Sequence, residues 1–143
     1  VKGRLKSNLA LVDRADPRTM IRALMKSLPI WYAPDQDYGR KVSIFVPFFA
    51  VEKAATVTGV HDLSKIKNTL VQPSWTIRVK DGYRLYVSAP LDNFPTEDEV
   101  ADTTRCNKVI ENMIKIAPEQ YLWLHRRFKT VPDGEPSRYP EIK

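Results

Sequence analysis

The chain predicts an α/β fold, a partly parallel mixed sheet flanked by helices. Three observations carry that expectation. Helical and extended patterns alternate along the 143 residues, as layered α/β folds require. Asp81-Gly82 separates two alternating segments, a strong local mark of an antiparallel hairpin, which is set at one side of the sheet. Two helical segments follow the hairpin, so the order reads helix, strand, helix, strand, hairpin, helix, helix.

The first helix starts at Asp16-Pro17, because Asp caps and Pro is tolerated at the first helical position. Met20, Ile21, Leu24, Met25 and Leu28 continue at helical spacing until Pro29 stops it. Residues 30–33 form a short apolar strand, and PDQDYG is the loop after it. The apolar run 42–49 contains Pro47, which makes it a loop or an edge strand. Residues 54–66 read as a helix with an internal Gly59, and NTLVQP, 68–73, as a buried strand. The hairpin joins 75–79 to 83–87. The longest helix opens at Thr96, where Thr96 and Glu99 make a capping-box pattern. Pro118 starts a short final helix with Glu119 in its first turn and cations at its end, an order that suits the helix dipole. Residues 130–143, rich in Pro and polar side chains, form an extended tail.

Composition bounds the function classes. A 43% hydrophobic share with 28% charged residues excludes disorder, and 143 residues suit one domain. The net charge of +6 favours anionic partners: nucleic acid, phospholipid headgroups, phosphorylated substrates or an acidic carrier protein. The single cysteine, Cys106, excludes a disulfide within the chain and reads as a buried thiol. No apolar run is long enough to cross a bilayer.

Asp35 and Asp37 follow a predicted strand, where α/β proteins place their sites. Two carboxylates at that spacing suit metal binding, acid/base work or orientation of a cation; a solvated turn is the alternative. No His or Cys lies close enough in sequence to complete a ligand set, so neither a metal nor a cofactor is expected. His61 neighbours Asp62, but adjacent helical residues do not face each other, so His61 is read as structural or exposed. His125 is read as a neutral hydrogen-bonding imidazole. Three groups of cations, Arg4 with Lys6, Arg40 with Lys41, and Arg126 and Arg127 with Lys129, would form a phosphate site if they converge. In PEQYLWLHRRFK, residues Tyr121, Leu122, Leu124 and Phe128 share one helical face and are assigned to the core.

WYAPDQDYG, then SIFVPFFAVEKAAT, then APEQYLWLHRRFKTVPDGEPSRY, in this order and spacing, resemble the late acyltransferases of lipid A biosynthesis, the lauroyl and myristoyl transferases of the bacterial inner membrane. The resemblance runs from about Gly3 to Tyr139 and is most specific in its final stretch. It implies a glycerolipid-acyltransferase-like fold and transfer of a fatty acyl chain from acyl carrier protein to a hydroxyl of a phosphorylated, Kdo-linked lipid A precursor. It also implies a membrane surface as partner, no nucleic acid, and location at the cytoplasmic face of the inner membrane. In the family a His with an acidic residue five positions on acts as general base on the hydroxyl. Here His61 is followed at that distance by Ile66 and His125 by Thr130. The general base is therefore not in this chain. Residues 1–143, opening on VKGRLKSN without Met, are expected to be the C-terminal part of a single acyltransferase domain, incomplete at the N-terminus and inactive alone.

The resemblance also implies site residues. Arg4, in Gly3-Arg4, corresponds to the family's phosphate- or substrate-positioning Arg. Asp35 corresponds to the acid of the loop that is Pro-Glu-Gly in glycerolipid acyltransferases, and is expected to hold Arg4 or the substrate at the rim of an apolar slot. Asp37 is the second choice. Pro73 shapes the acyl-chain pocket, and Arg126 and Arg127 meet lipid A phosphates or the acidic carrier. The other readings left by the residues are an acyltransferase for another glycolipid, or a basic module for anionic membrane or nucleic acid.

Overall fold

A computed structural model describes residues 3–6, 8–13 and 16–140, with Arg4 described by its backbone alone. The elements are α1 (Pro17–Met25), β1 (Ser43–Phe48), β2 (Val51–Val57), α2 (Gly59–Ser64), β3 (Ser74–Val79), β4 (Gly82–Val87) and α3 (Glu99–Ile116), with 3-10 turns at Arg4–Lys6, Arg40–Val42 and Pro118–Gln120. The mixed α/β class is observed. Its described sheets are two separate antiparallel ribbons, β1–β2 and β3–β4, and no parallel pair occurs among the described residues.

The local signals explain much of this. Asp16 caps α1 through Oδ1, which accepts the Thr19 N–H at 3.0 Å. The hairpin forms, with Val79 opposite Gly82 and Trp75 opposite Tyr86, whose rings stack 5.0 Å apart. Gly82 closes its two-residue turn at φ +142°, a conformation that favours glycine. Pro47 sits in β1 where the register shifts between Val46 and Phe48, so its missing N–H costs no ladder bond there.

Several expected elements take other forms. Residues 54–66 are not one helix: β2 occupies the first part and the short α2 the second, divided at Thr58-Gly59. The run Ala54–Val57 is buried at every position, which gives periodicity no alternation to read. Residues 30–33 and 69–73 belong to no strand, Asn68 sits in a turn at φ +64°, and Trp31 and Leu70 are largely exposed. The second segment still pairs locally, as the Ser88 N–H donates to the Pro73 carbonyl and the Leu91 N–H to that of Val71. The cap of α3 is Asp98, not Thr96, because the Asp98 carboxylate accepts the Ala101 N–H at 2.9 Å. Thr96 bonds instead to Asp102, through its N–H at 2.7 Å and its hydroxyl at 3.0 Å. The final helix is only the turn Pro118–Gln120, followed by successive tight turns, and Leu124 is 93% exposed rather than in the core.

The core forms where α3 packs on the first ribbon. Phe48, Ala54 and Ile114 are buried together, with Val51, Ile110, Tyr121 and Phe128 packed around them. Polar groups cross this interface in pairs. The Asn107 amide donates to the Pro47 carbonyl at 2.8 Å and to Thr56 Oγ1 at 3.0 Å. Phe49, at the ribbon turn with φ +51°, is fixed by its N–H donating to Glu111 Oε1. Described residues of the tail have no helix or strand, but are tied down by Arg40 to Asp133 at 3.1 Å and by Lys53 to Glu135 at 3.1 Å.

Candidate functional site

An apolar cleft of about 1170 Å³ lies beside α3. One wall is the α3 face carrying Cys106, Val109, Ile110 and Met113. The segments at residues 28–36 and 68–73 and the inner side of the β3–β4 ribbon line the rest. Asn107, Glu111 and Ile114 of α3 meet the first ribbon, while Val109 and Met113 are left to the cleft. The Cys106 thiol lies in that wall, and burial pushes its pKa up to about 11, so it is protonated and unreactive at neutral pH. Gly59 shapes another part. A Cβ there would come within 2.4 Å of the Tyr32 hydroxyl, so glycine lets Tyr32 lie against the start of α2.

The loop at residues 34–39 borders the cleft, with Pro34, Asp35 and Gln36 in the lining. Gln36 is shared with a smaller polar pocket of about 310 Å³ that includes Asp37, His125 and Lys129. Three side chains from the closing turns dock the loop. Tyr121 donates its hydroxyl to the Asp35 carbonyl at 3.3 Å, and burial pushes that phenol up to about 12. The Asp37 N–H donates to His125 Nε2 at 3.1 Å. Thr130 donates its N–H and its hydroxyl to the Asp37 carboxylate, each at 2.8 Å.

The expected site residues are thereby separated. Asp35 lines the cleft, as does Pro73. Asp37 is only 1% exposed, and its carboxylate is taken by Thr130 and the Gly39 N–H, so it organises the loop. Arg126 is exposed and lies over the Tyr139 ring at 5.4 Å. Arg127 points the other way: it is 3% exposed, donates to the Ala55 carbonyl at 2.5 Å and Thr56 Oγ1 at 2.8 Å, and lies over Phe48. Burial depresses its pKa, and Tyr121, Asp37 and Asp35 counter that effect. A guanidinium so engaged is an internal brace, not a surface phosphate ligand. The Arg4 side chain lies outside the described residues, so its expected meeting with Asp35 does too. Of the three cation groups, the second and third approach each other through the tail, where Arg40 bonds the Val131 carbonyl and Asp133 just beyond Lys129.

Sequence reasoning missed one constellation. His61 and Asp102 are each about 2% exposed, and His61 Nδ1 lies 2.8 Å from Asp102 Oδ2. The partners stand 41 positions apart, and no local spacing announces such a pair. His61 does not line the apolar cleft, which sets this dyad apart from the candidate acyl site.

An apolar cleft with a carboxylate in its lining suits a ligand that joins hydrocarbon to a polar head, the requirement of an acyl-transferring enzyme on lipid. The chain belongs to the bacterial lipid A biosynthesis acyltransferase family, whose model matches residues 1–130. Its relatives include the lipid A biosynthesis lauroyltransferase of Escherichia coli K12, 49% identical over 139 residues, which cover 96% of this chain and 45% of that protein. The palmitoleoyltransferase of the same organism is 46% identical over 140 residues, with the same coverage. A lipid A biosynthesis acyltransferase of Haemophilus influenzae Rd is 49% identical over 142 residues, 96% of this chain and 46% of that protein. The chain thus spans a little under half the length of these relatives. Among the described residues no helix is long and apolar enough to cross a membrane.

Proposed function

We propose that these residues form the acyl-chain-holding part of an enzyme that transfers a fatty acyl group to a lipid A precursor. The observation that carries this reading is the apolar cleft with Asp35 in its lining. The donor is an acyl thioester on acyl carrier protein, and the acceptor a hydroxyl of a phosphorylated, Kdo-linked precursor at the cytoplasmic face of the inner membrane. Hydrocarbon lies along Val109, Ile110 and Met113, with Pro73 shaping the opposite wall. Asp35 orients a cation or the reacting headgroup at the rim, with Arg4 as its intended partner. Arg126, exposed on the closing turns, meets the precursor's phosphates or the acidic carrier, whereas Arg127 supports the site from inside. The ribbons belong to a glycerolipid-acyltransferase-like mixed sheet.

The acceptor hydroxyl needs a general base within hydrogen-bond reach, and the thioester oxygen needs donors as charge develops on it. Neither histidine here has an acidic residue five positions on. The 143 residues alone are expected to turn over no substrate. The test is a chimera in which they replace the matching segment of the Escherichia coli lauroyltransferase. Transfer from acyl carrier protein is expected to persist, and to fall by about 100-fold with Asp35→Asn, the scale set by misplacing a reacting group. Retained transfer in that variant would remove Asp35 from the site. Turnover by the 143 residues alone would overturn the assignment of the base. Binding that falls steeply with salt and is indifferent to the precursor's phosphates would favour a basic membrane or nucleic-acid module.

A further inference from the structure

Behind one wall of the cleft, α2 meets the first turn of α3. A ring nitrogen of His61, a carboxylate oxygen of Asp62 and one of Glu99 lie within 4.8 Å of one another. His61 Nδ1 is engaged by Asp102, itself fixed by the Thr96 N–H and hydroxyl. The hydrogen bond to Asp102 uses Nδ1, which leaves Nε2 as the ring nitrogen open to a ligand, and that atom is not among the fully buried unpartnered ones. A carboxylate fixed behind a histidine, with the other nitrogen left to ligate, is the recurrent support for a metal-binding imidazole. Asp62 is supported as well, since Thr58 donates its hydroxyl to Asp62 Oδ2 at 2.9 Å.

We propose that His61, Asp62 and Glu99 bind a divalent transition-metal ion such as Zn²⁺, with Asp102 and Thr96 as the supporting shell. The donor set decides the class of ion: an imidazole beside two carboxylates suits zinc, cobalt or manganese, while calcium and magnesium prefer oxygen alone. Ligand atoms on a tetrahedral zinc, each about 2.0–2.2 Å from the metal, lie about 3.4 Å apart. Asp62 is exposed and Glu99 half-buried, so their carboxylates have freedom to close from the observed spacing while His61 stays fixed. The ion would neutralise two carboxylates and clip α2 to α3. Val60 and Leu63 of α2 and Cys106 and Val109 of α3 line the cleft, so the clip would hold two of its walls at a set distance. The proposal is independent of the acyl-transfer reading.

Titration of the chain with Co²⁺, followed by visible absorption, tests it, with Zn²⁺ competition and calorimetry for stoichiometry. One ion per chain is expected, with ligand-field bands displaced by Zn²⁺ and a rise in melting temperature. Glu99→Gln removes a ligand at a half-exposed position and is expected to abolish the bands without unfolding the protein. Asp102→Asn keeps the shape but weakens support of His61, and is expected to lower affinity by about 10- to 100-fold. Absence of Co²⁺ bands and of Zn²⁺ binding in the unaltered chain, or binding that both variants leave unchanged, overturns the proposal.

Discussion

Glu111 Oε1 accepts the backbone N–H of Phe49 at 2.7 Å, joining the middle of α3 to the turn of the first ribbon. Phe49 adopts φ +51°, unfavourable for a bulky side chain, so the turn depends on partners outside itself. Lys108 bonds the other carboxylate oxygen at 3.0 Å. Glu111→Ala leaves the Phe49 N–H without its acceptor and is expected to cost about 1–3 kcal/mol in urea unfolding.

The same carboxylate makes stability depend on pH. Burial alone would raise the Glu111 pKa, but the Phe49 N–H and the Lys108 ammonium outweigh it and hold the carboxyl below its ordinary value of 4.5. Because the folded value is the lower one, the stabilisation is complete above the unfolded value and disappears as pH falls through the folded one. Glu111→Gln is expected to flatten the acid limb of melting temperature against pH, and an unchanged acid limb would refute this.

Arg126 and Arg127, neighbours in sequence, are expected to separate completely in their effects. Arg127→Met leaves the Ala55 carbonyl and Thr56 hydroxyl without their buried donor, at a cost of about 1.5–3 kcal/mol or more. Arg126→Ala is expected to change stability by less than about 0.5 kcal/mol, as for an ordinary surface site. On the proposed function it should also weaken binding of acidic carrier protein, read by calorimetry at low salt. Equal stability losses would contradict the inward and outward assignment.

Asp35 and Asp37 provide a similar contrast. Asp37→Ala orphans the Gly39 N–H and both Thr130 donors, at about 1–3 kcal/mol for each group left buried and unpaired. Asp35→Ala removes a half-buried carboxylate while its carbonyl still accepts from Tyr121, so the melting temperature should barely move. Denaturation of the two variants side by side decides the point.

Cys106 offers a probe of the cleft. Its thiol, protonated up to about pH 11, is expected to react slowly with iodoacetamide at pH 8, and more slowly still in the presence of a long-chain fatty acid. Intact-mass measurement over time checks both. Alkylation as fast as in the denatured chain would show that the wall is open.

Elements with local chemistry were the legible ones. The Asp16-Pro17 start and the Asp81-Gly82 hairpin signal each carry their instruction within a few residues. Ala54–Val57 was hidden because burial on both sides erases alternation, and it lies beside Gly59, which suits a helix start as well as an interior break. The closing stretch misled for a different reason. Tyr121, His125, Arg127 and Thr130 each have a distant partner, and those partners impose tight turns where spacing alone favours a helix. Asp35 and Pro73 were found through family likeness and do line the cleft, whereas spacing could not reveal that Asp37 is enclosed. The His61–Asp102 pair is a product of packing between two helices and leaves no trace in either segment.

The contact between Gly59 and Tyr32 has a consequence for how the protein could be altered. The phenol occupies the place where any other residue would carry its first carbon. A single methyl at 59 therefore acts as a wedge: the ring must swing aside and the lining beside it must part. Substitutions at this glycine are a handle on the width of the cleft that Tyr32 lines, applied from a position outside the lining itself.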